Sequence, residues 1–418
     1  MFFRYLPFAL LSISVLYNAV IHAEQQHIVN HVDTIEYDAG LTLSTLLQAT
    51  VKKYPDFQQI KRLQQESAAL QQRGNYWIAG AVNIGMTYRD DFAGSNQGAY
   101  EFEGAVGVPL WNWGQREAGQ NLAKQAEQMA DFEAQVINLK VAGLMRLSLW
   151  HMALQDLNYV IAKKSYQLTE KLVKTVQRRV ELGDLARADL LLVQSELFQK
   201  RSVLLQAEAE LMHARKAFYF LTQDNKAPKN IEESMTTVQA LSMSHPDLVR
   251  LDAVISKKQA AVTWIKAQGS GQTNVSIGGT TERGARGDAT SDSINFGISI
   301  PFGGSAFLAP KIAVAETALM QAKIEKSHLY RQLQSELHEA KHELDIAREQ
   351  WVINQQMANN AQEYLKMSGL SFESGEINLM DFLKIQERAY HALQQRQISA
   401  LKIKRNIALY NQAVGVAP

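Results

Sequence analysis

The chain contains no cysteine. That absence removes a disulfide framework, thiol chemistry and Cys-ligated metal, and equally the lipidated N-terminal cysteine that anchors some exported bacterial proteins. Proline is scarce, 8 in 418 residues, so long uninterrupted helices are permitted. Neither sign of charge dominates, with 43 Lys and Arg against 42 Asp and Glu, and the lack of a basic patch argues against nucleic acid as a partner. Long apolar runs are also missing, with one exception. Arg4 precedes an apolar run from Leu6 to Val20 and then Ile21-His22-Ala23, the pattern of an export signal over 1–23 with a mature chain starting near Glu24. Nothing after Ala23 approaches the roughly 20 apolar residues of a membrane helix, so any membrane attachment must come from the fold. With 46% hydrophobic residues, apolar material is ample for an ordered structure.

What is present is a long internal repeat. Tyr54-Pro55-Asp56-Phe57 returns as His245-Pro246-Asp247-Leu248, Val108-Pro109-Leu110 as Ile300-Pro301-Phe302, and Glu181-Leu182-Gly183-Asp184 as Glu373-Ser374-Gly375-Glu376. The spacings are 191, 192 and 192 residues. A near-constant offset over three separated landmarks signifies a tandem duplication of a domain. The organisation expected is a signal over 1–23, a first repeat over 24–222, a linker or equatorial segment over 223–244 and a second repeat over 245–418.

Each repeat reads as medium helix, two strands, very long helix, tight turn, return helix. From Gln115 to Val180 apolar residues recur every three or four positions, among them Leu122, Met129, Val136, Leu147, Leu154, Leu168 and Val176, which predicts one helix about 100 Å long at about 1.5 Å per residue. Its counterpart runs from about Phe307 to Phe372. Helices of this length must bury their stripes lengthwise against others. Leu41–Gly74, Leu185–Leu221, Pro246–Gln268 and Leu379–Val414 are the expected partners.

The strands alternate. Tyr76, Ile78, Gly80, Val82, Ile84, Met86 and Tyr88 share one face against Ala79, Asn83, Gly85, Thr87 and Arg89; Tyr100, Phe102, Val106 and Val108 oppose Glu101, Glu103, Ala105 and Gly107. Val275 and Ile277, then Ile294, Phe296, Ile298 and Ile300, continue the apolar set. Apolar residues with aromatics at both ends on one face, and small or polar residues on the other, are what a transmembrane barrel strand requires; a half-buried soluble sheet is the rival pattern. Four strands cannot close a barrel, and an open edge is not tolerated in lipid, so strands must be pooled from several chains.

LTLSTLLQATVKKYPDF, GVPLWNWGQREA, VELGDLARADLLLVQSEL and FESGEINLMDFLKIQERA resemble, in order, the opening helix, the strand-to-helix junction and the two helix-turn-helix tips of the TolC outer-membrane efflux family. The resemblance covers nearly all of the mature chain, and the short C-terminus resembles that of its heavy-metal cation branch. It implies an α+β membrane protein. Long helices form a periplasmic helical barrel, and four strands per chain enter a trimeric twelve-stranded β-barrel. It further implies a homotrimer in outer-membrane lipid, extending into the periplasm, that joins a periplasmic adaptor and an inner-membrane pump. By resemblance the turns Leu182, Gly183, Asp184, Leu185 and Ser374, Gly375, Glu376, Ile377 dock the adaptor. Asp189 and Asp381, six residues after each glycine, stand where relatives carry gating acids; Leu192 and Lys384 stand where some carry a second one. Selection of cargo then belongs to the pump, and a drug or a metal ion fits equally.

An enzyme reading rests on His338-Glu339-Ala340-Lys341-His342, which matches the zincin pattern. A catalytic zinc needs a third ligand. Glu363 is 21 residues beyond His342, about 32 Å along a helix, so the expectation is a solvated helix face, with no catalytic residue, cofactor or resident metal. A periplasmic coiled-coil adaptor or scaffold is the alternative to a duct, and strands patterned for lipid separate the two.

Overall fold

A computed structural model describes residues 34–418. The expected export signal lies outside the described residues. The elements are β1 (Glu36–Asp38), α1 (Leu43–Lys53), α2 (Phe57–Asn75), β2 (Asn83–Asp90), β3 (Tyr100–Leu110), α3 (Gln115–Glu181) and α4 (Arg187–Thr222), followed by β4 (Lys226–Pro228), α5 (Pro246–Ala267), β5 (Thr273–Arg283), β6 (Ser291–Ser299), α6 (Ser305–Glu373) and α7 (Leu379–Ala413).

The two long helices have 67 and 69 residues and give the molecule its length. Near the strands α2 and α5 flank α3, and α6 lies beyond α5; toward the other end α4 and α7 run back along α3 and α6. Each long helix is thus covered by two shorter ones in succession. The C-terminus of α7 abuts the start of α5, since a Cβ placed at Gly415 would lie 2.6 Å from His245. At the matching place in the first half, Lys53 Nζ donates to the carbonyls of Thr222 and Gln223 at 3.2 and 3.1 Å, serving the unpaired carbonyls at the end of α4. The principal core lies at this level, where Leu46 and Leu47 of α1 meet Val141, Met145 and Leu149 of α3 and Phe218 of α4.

Two expectations are corrected. The medium helix over 41–74 is two helices, because Pro55 drives Tyr54 out of the α region to ψ 136°. Pro246 instead begins α5 at the position proline favours, so the same dipeptide pattern ends a helix in one half and opens one in the other. The first strand starts at Asn83 and not at Tyr76. Ile78 and Ala79 are both buried and Trp77 is exposed, which breaks the alternation. Here the chain folds across the base of the sheet: Ala79 N–H donates to the Pro109 carbonyl at 3.0 Å and its carbonyl accepts from Gln272 Nε2 at 2.8 Å. Residues 223–244, expected as a linker or equatorial segment, supply β4, which pairs in parallel with β1, and a polar strap held to α3 through Glu233 and Arg146.

Candidate functional site

Two regions carry the sequence-derived candidates: a four-stranded sheet at one end of the helices and a pair of helical tips at the other.

The sheet has the order β2-β3-β5-β6, antiparallel throughout, with both edges open among the described residues. Its register aligns Ile84, Val106, Ile277 and Phe296 in one cross-strand row, and Gly85, Ala105, Gly278 and Asn295 in the next. One face is therefore apolar and the other small or polar, in all four strands at once. The apolar face is bare: Ile84 is 71% and Phe296 79% exposed. At Gly278 on the opposite face sterics exclude a side chain, since a Cβ there would stand 2.6 Å from the Gly104 carbonyl oxygen. Toward the loops, the polar face carries Arg89, Glu101, Glu282 and Ser291 in one row and Thr87, Glu103, Thr280 and Ser293 in the adjacent one. Arg89 pairs with Glu101 at 3.0 Å. The two loops at this end lock together, with Arg286 N–H donating to the Gln97 carbonyl at 2.8 Å. Within the first loop Asp91 accepts from Ser95 and from the backbone of Gln97 and Gly98, and these hydrogen bonds hold its carboxyl below the usual range.

At the opposite end α3 turns into α4 and α6 into α7 through glycines at φ +79° and +80°. Nothing crowds either position, so glycine is required there for its backbone and not for its size. Leu185 and Ile377 fold inward onto a shared cluster containing Val176, Val193, Phe372, Leu379 and Phe382. The Phe372 and Phe382 rings stack with centroids 4.9 Å apart. Leu182, Gly183, Asp184, Ser374, Gly375 and Glu376 remain exposed, so the two turns form one continuous tip surface.

Asp189 and Asp381 occupy the third position of α4 and α7, which gives each a local role. Asp189 Oδ2 accepts from Ala186 N–H at 3.2 Å. Asn378 Oδ1 accepts from Asp381 N–H at 2.8 Å while Asn378 Nδ2 donates to Asp381 Oδ2 at 2.9 Å. Both acids stabilise a helix start and its positive dipole end. Lys384 lies 3.7 Å from Asp381, with both side chains more than half exposed.

Sequence reasoning missed two arginines. Arg179 joins the tips: its Nε donates to Asp184 at 2.6 Å, a terminal nitrogen donates to the Phe372 carbonyl at 3.1 Å, and the guanidinium lies 5.0 Å from the Phe372 ring centroid. Arg146 is buried on α3 and grips Glu233 of the 223–244 segment through two hydrogen bonds of 2.8 and 2.6 Å. It also donates to Gln412 and to the Val416 carbonyl. The clue in the sequence was its place on the apolar side of α3, four residues after Ala142 and three before Leu149.

His338 and His342 stand exposed on α6, and among the described residues no group of three metal-ligating side chains converges.

No known family pattern matches the sequence, and no curated protein matches it. Solved structures do. The chain superposes on the CmeC outer-membrane channel of Campylobacter jejuni with a TM-score of 0.68 at 12% identity, covering 89% of this chain and 85% of that one. For CusC, studied for folding and transmembrane channel formation, the TM-score is 0.72 at 13% identity over 93% and 96%. For the open state of the Neisseria gonorrhoeae MtrE outer-membrane channel it is 0.66 at 12% identity over 90% and 89%. These are TolC-type channels and not enzymes, and the chain shares their fold.

Proposed function

We propose that the chain is one subunit of an outer-membrane efflux duct. The observation that supports it best is the open sheet, whose exposed apolar face is suited to lipid and whose two unpaired edges require strands from other copies. The helical flanks repeat the message. On α4, Leu191, Phe198 and Leu205 follow one another at heptad spacing, and all are exposed. On α6, Ile353, Met357, Tyr364 and Met367 are likewise exposed. A homotrimer, closing β2 of one copy against β6 of the next into a twelve-stranded barrel, covers these edges and extends the helices as a tunnel into the periplasm. In this reading the units 24–222 and 245–418 arise by duplication around 223–244, and residues 1–23 direct export. The tip surface of Leu182–Leu185 and Ser374–Ile377 meets a periplasmic adaptor serving an inner-membrane pump, with Asp381 and Asp189 lining the closed end. A small or polar inner face gives the duct little means to choose cargo.

A periplasmic scaffold has no use for a bare apolar sheet. Membrane fractionation separates the two readings: the duct stays in the outer membrane through a high-salt wash and is extracted by detergent as a trimer that conducts ions in a planar bilayer. Release as a soluble monomer refutes the proposal.

A further inference from the structure

The histidine pair on α6 remains unused by the duct reading. His338 and His342 are four residues apart on one helix, so their side chains leave the same face one turn apart. Their rings are nearly parallel, 6° between planes, with centroids 6.3 Å apart. Both are exposed, and among the described residues neither imidazole has a hydrogen-bond partner. Leu333, Leu344 and Ala347 are buried and occupy the other side of α6, which leaves the pair directed away from the rest of the chain.

We propose that His338 and His342 form a two-histidine chelate that reversibly captures a borderline divalent transition metal ion such as Zn²⁺. Imidazole nitrogen suits these ions, whereas Mg²⁺ and Ca²⁺ prefer oxygen. Exposed rings without other partners can swing about their side-chain torsions to aim one nitrogen each at a shared ion, and nothing must be broken first. Along residues 335–349 five acids stand against Lys341 and Arg348, but Glu336, Glu339 and Glu343 line the neighbouring groove with Arg405 and Asp345 pairs with Arg348, so the imidazoles and not the surrounding charge carry the capture. With two protein ligands, water completes the coordination. This is neither the closed four-ligand arrangement of a structural zinc nor the three-ligand arrangement of a catalytic one, so the ion exchanges and no hydrolytic chemistry follows. The proposal does not depend on channel activity; it needs only that this face of α6 stay uncovered in the assembled protein.

Zn²⁺ is titrated calorimetrically into the untagged, full-length protein extracted in detergent. The result expected is one ion per chain at this site. His338→Gln and His342→Gln each weaken it by about tenfold or more, because the second imidazole binds intramolecularly once the first has engaged. His328→Gln, elsewhere on the same helix, leaves it unchanged. Adding Gln334→His to His342→Gln rebuilds a four-residue spacing with His338 at an exposed position and restores affinity. The proposal is overturned by no binding to the assembled protein, which includes the case of a face covered by a neighbouring copy. It is equally overturned by unchanged binding in the single variants, by equal loss in His328→Gln, or by failure of the rebuilt pair to restore affinity. Unchanged helical circular dichroism in each variant excludes misfolding as the cause.

Discussion

Glu233→Gln is the most informative single change to the structure. Glu233 belongs to a segment with little regular structure, and among the described residues its carboxylate is the only acid paired with the buried Arg146 guanidinium. The amide keeps the size of the side chain and one acceptor oxygen, but removes the charge. The side chains are 1% and 8% exposed, so solvent cannot replace the lost partner. Removing one member of such a pair costs about 3–5 kcal/mol, because the other charge stays buried and uncompensated. Acceptors on Gln412 and Val416 remain, which places the expected loss near the lower end, about 3 kcal/mol. The double change Arg146→Met with Glu233→Met should recover most of it, since well-packed apolar replacement of a buried pair is often neutral. Denaturant unfolding followed by helical signal gives the energies, and a double-mutant cycle isolates the coupling. Limited proteolysis gives the location: cleavage within 229–238 should accelerate in the single variant and slow again in the double. A loss below about 1 kcal/mol, the scale of an exposed pair, or a double variant no better than the single one, refutes the view that this pair fastens the segment to α3.

Two further outcomes test the ends of the molecule. Ile84→Arg, on the apolar row of the sheet, should impair outer-membrane assembly by about 2–4 kcal/mol while Gly85→Arg, on the opposite face with open space around it, assembles normally; on quantitative membrane blots the inverse result would mean the faces are reversed, and equal assembly would mean this sheet does not meet lipid. Asp381→Asn should lower cation preference and relieve divalent block in planar-bilayer recordings if a ring of these acids forms the constriction, with Glu101→Gln and Glu103→Gln as controls. An effect confined to the glutamates would move the selective element to the strand end.

The long helices, the return helices and both glycine turns were legible because periodicity over many turns averages out local exceptions, and α3 lies within a residue of the range its apolar spacing implies. The faces of β3, β5 and β6 were legible for the same reason. Residues 76–82 were not. Period-2 alternation there coincides by chance with a crossover whose conformation is set by Pro109 and Gln272, which are distant in sequence. Residues 223–244 were legible as a segment but not in their attachment, because beyond Ala227 and Ile231, which join the core, they are held by polar contacts such as Arg146–Glu233, and those leave no periodic trace. Asp189 and Asp381 show the converse limit: a residue singled out as a gate also has a sufficient local reason to be acidic at a helix start.

The break between α7 and α5 has a mechanical consequence. Within each half one rod runs unbroken from sheet to tip, while the rod beside it is jointed near the level of Arg146, so at this height only one of the two rods resists bending through a continuous helix. From Arg146 to Leu182 the lever arm is about 54 Å at about 1.5 Å per residue. Over such an arm a pivot of about 5° sweeps the tip sideways by roughly 5 Å, about the pitch of one helical turn. A displacement of that size at the far end corresponds to a small angular change at the joint, taken up as a gentle bend of the continuous α3 and α6.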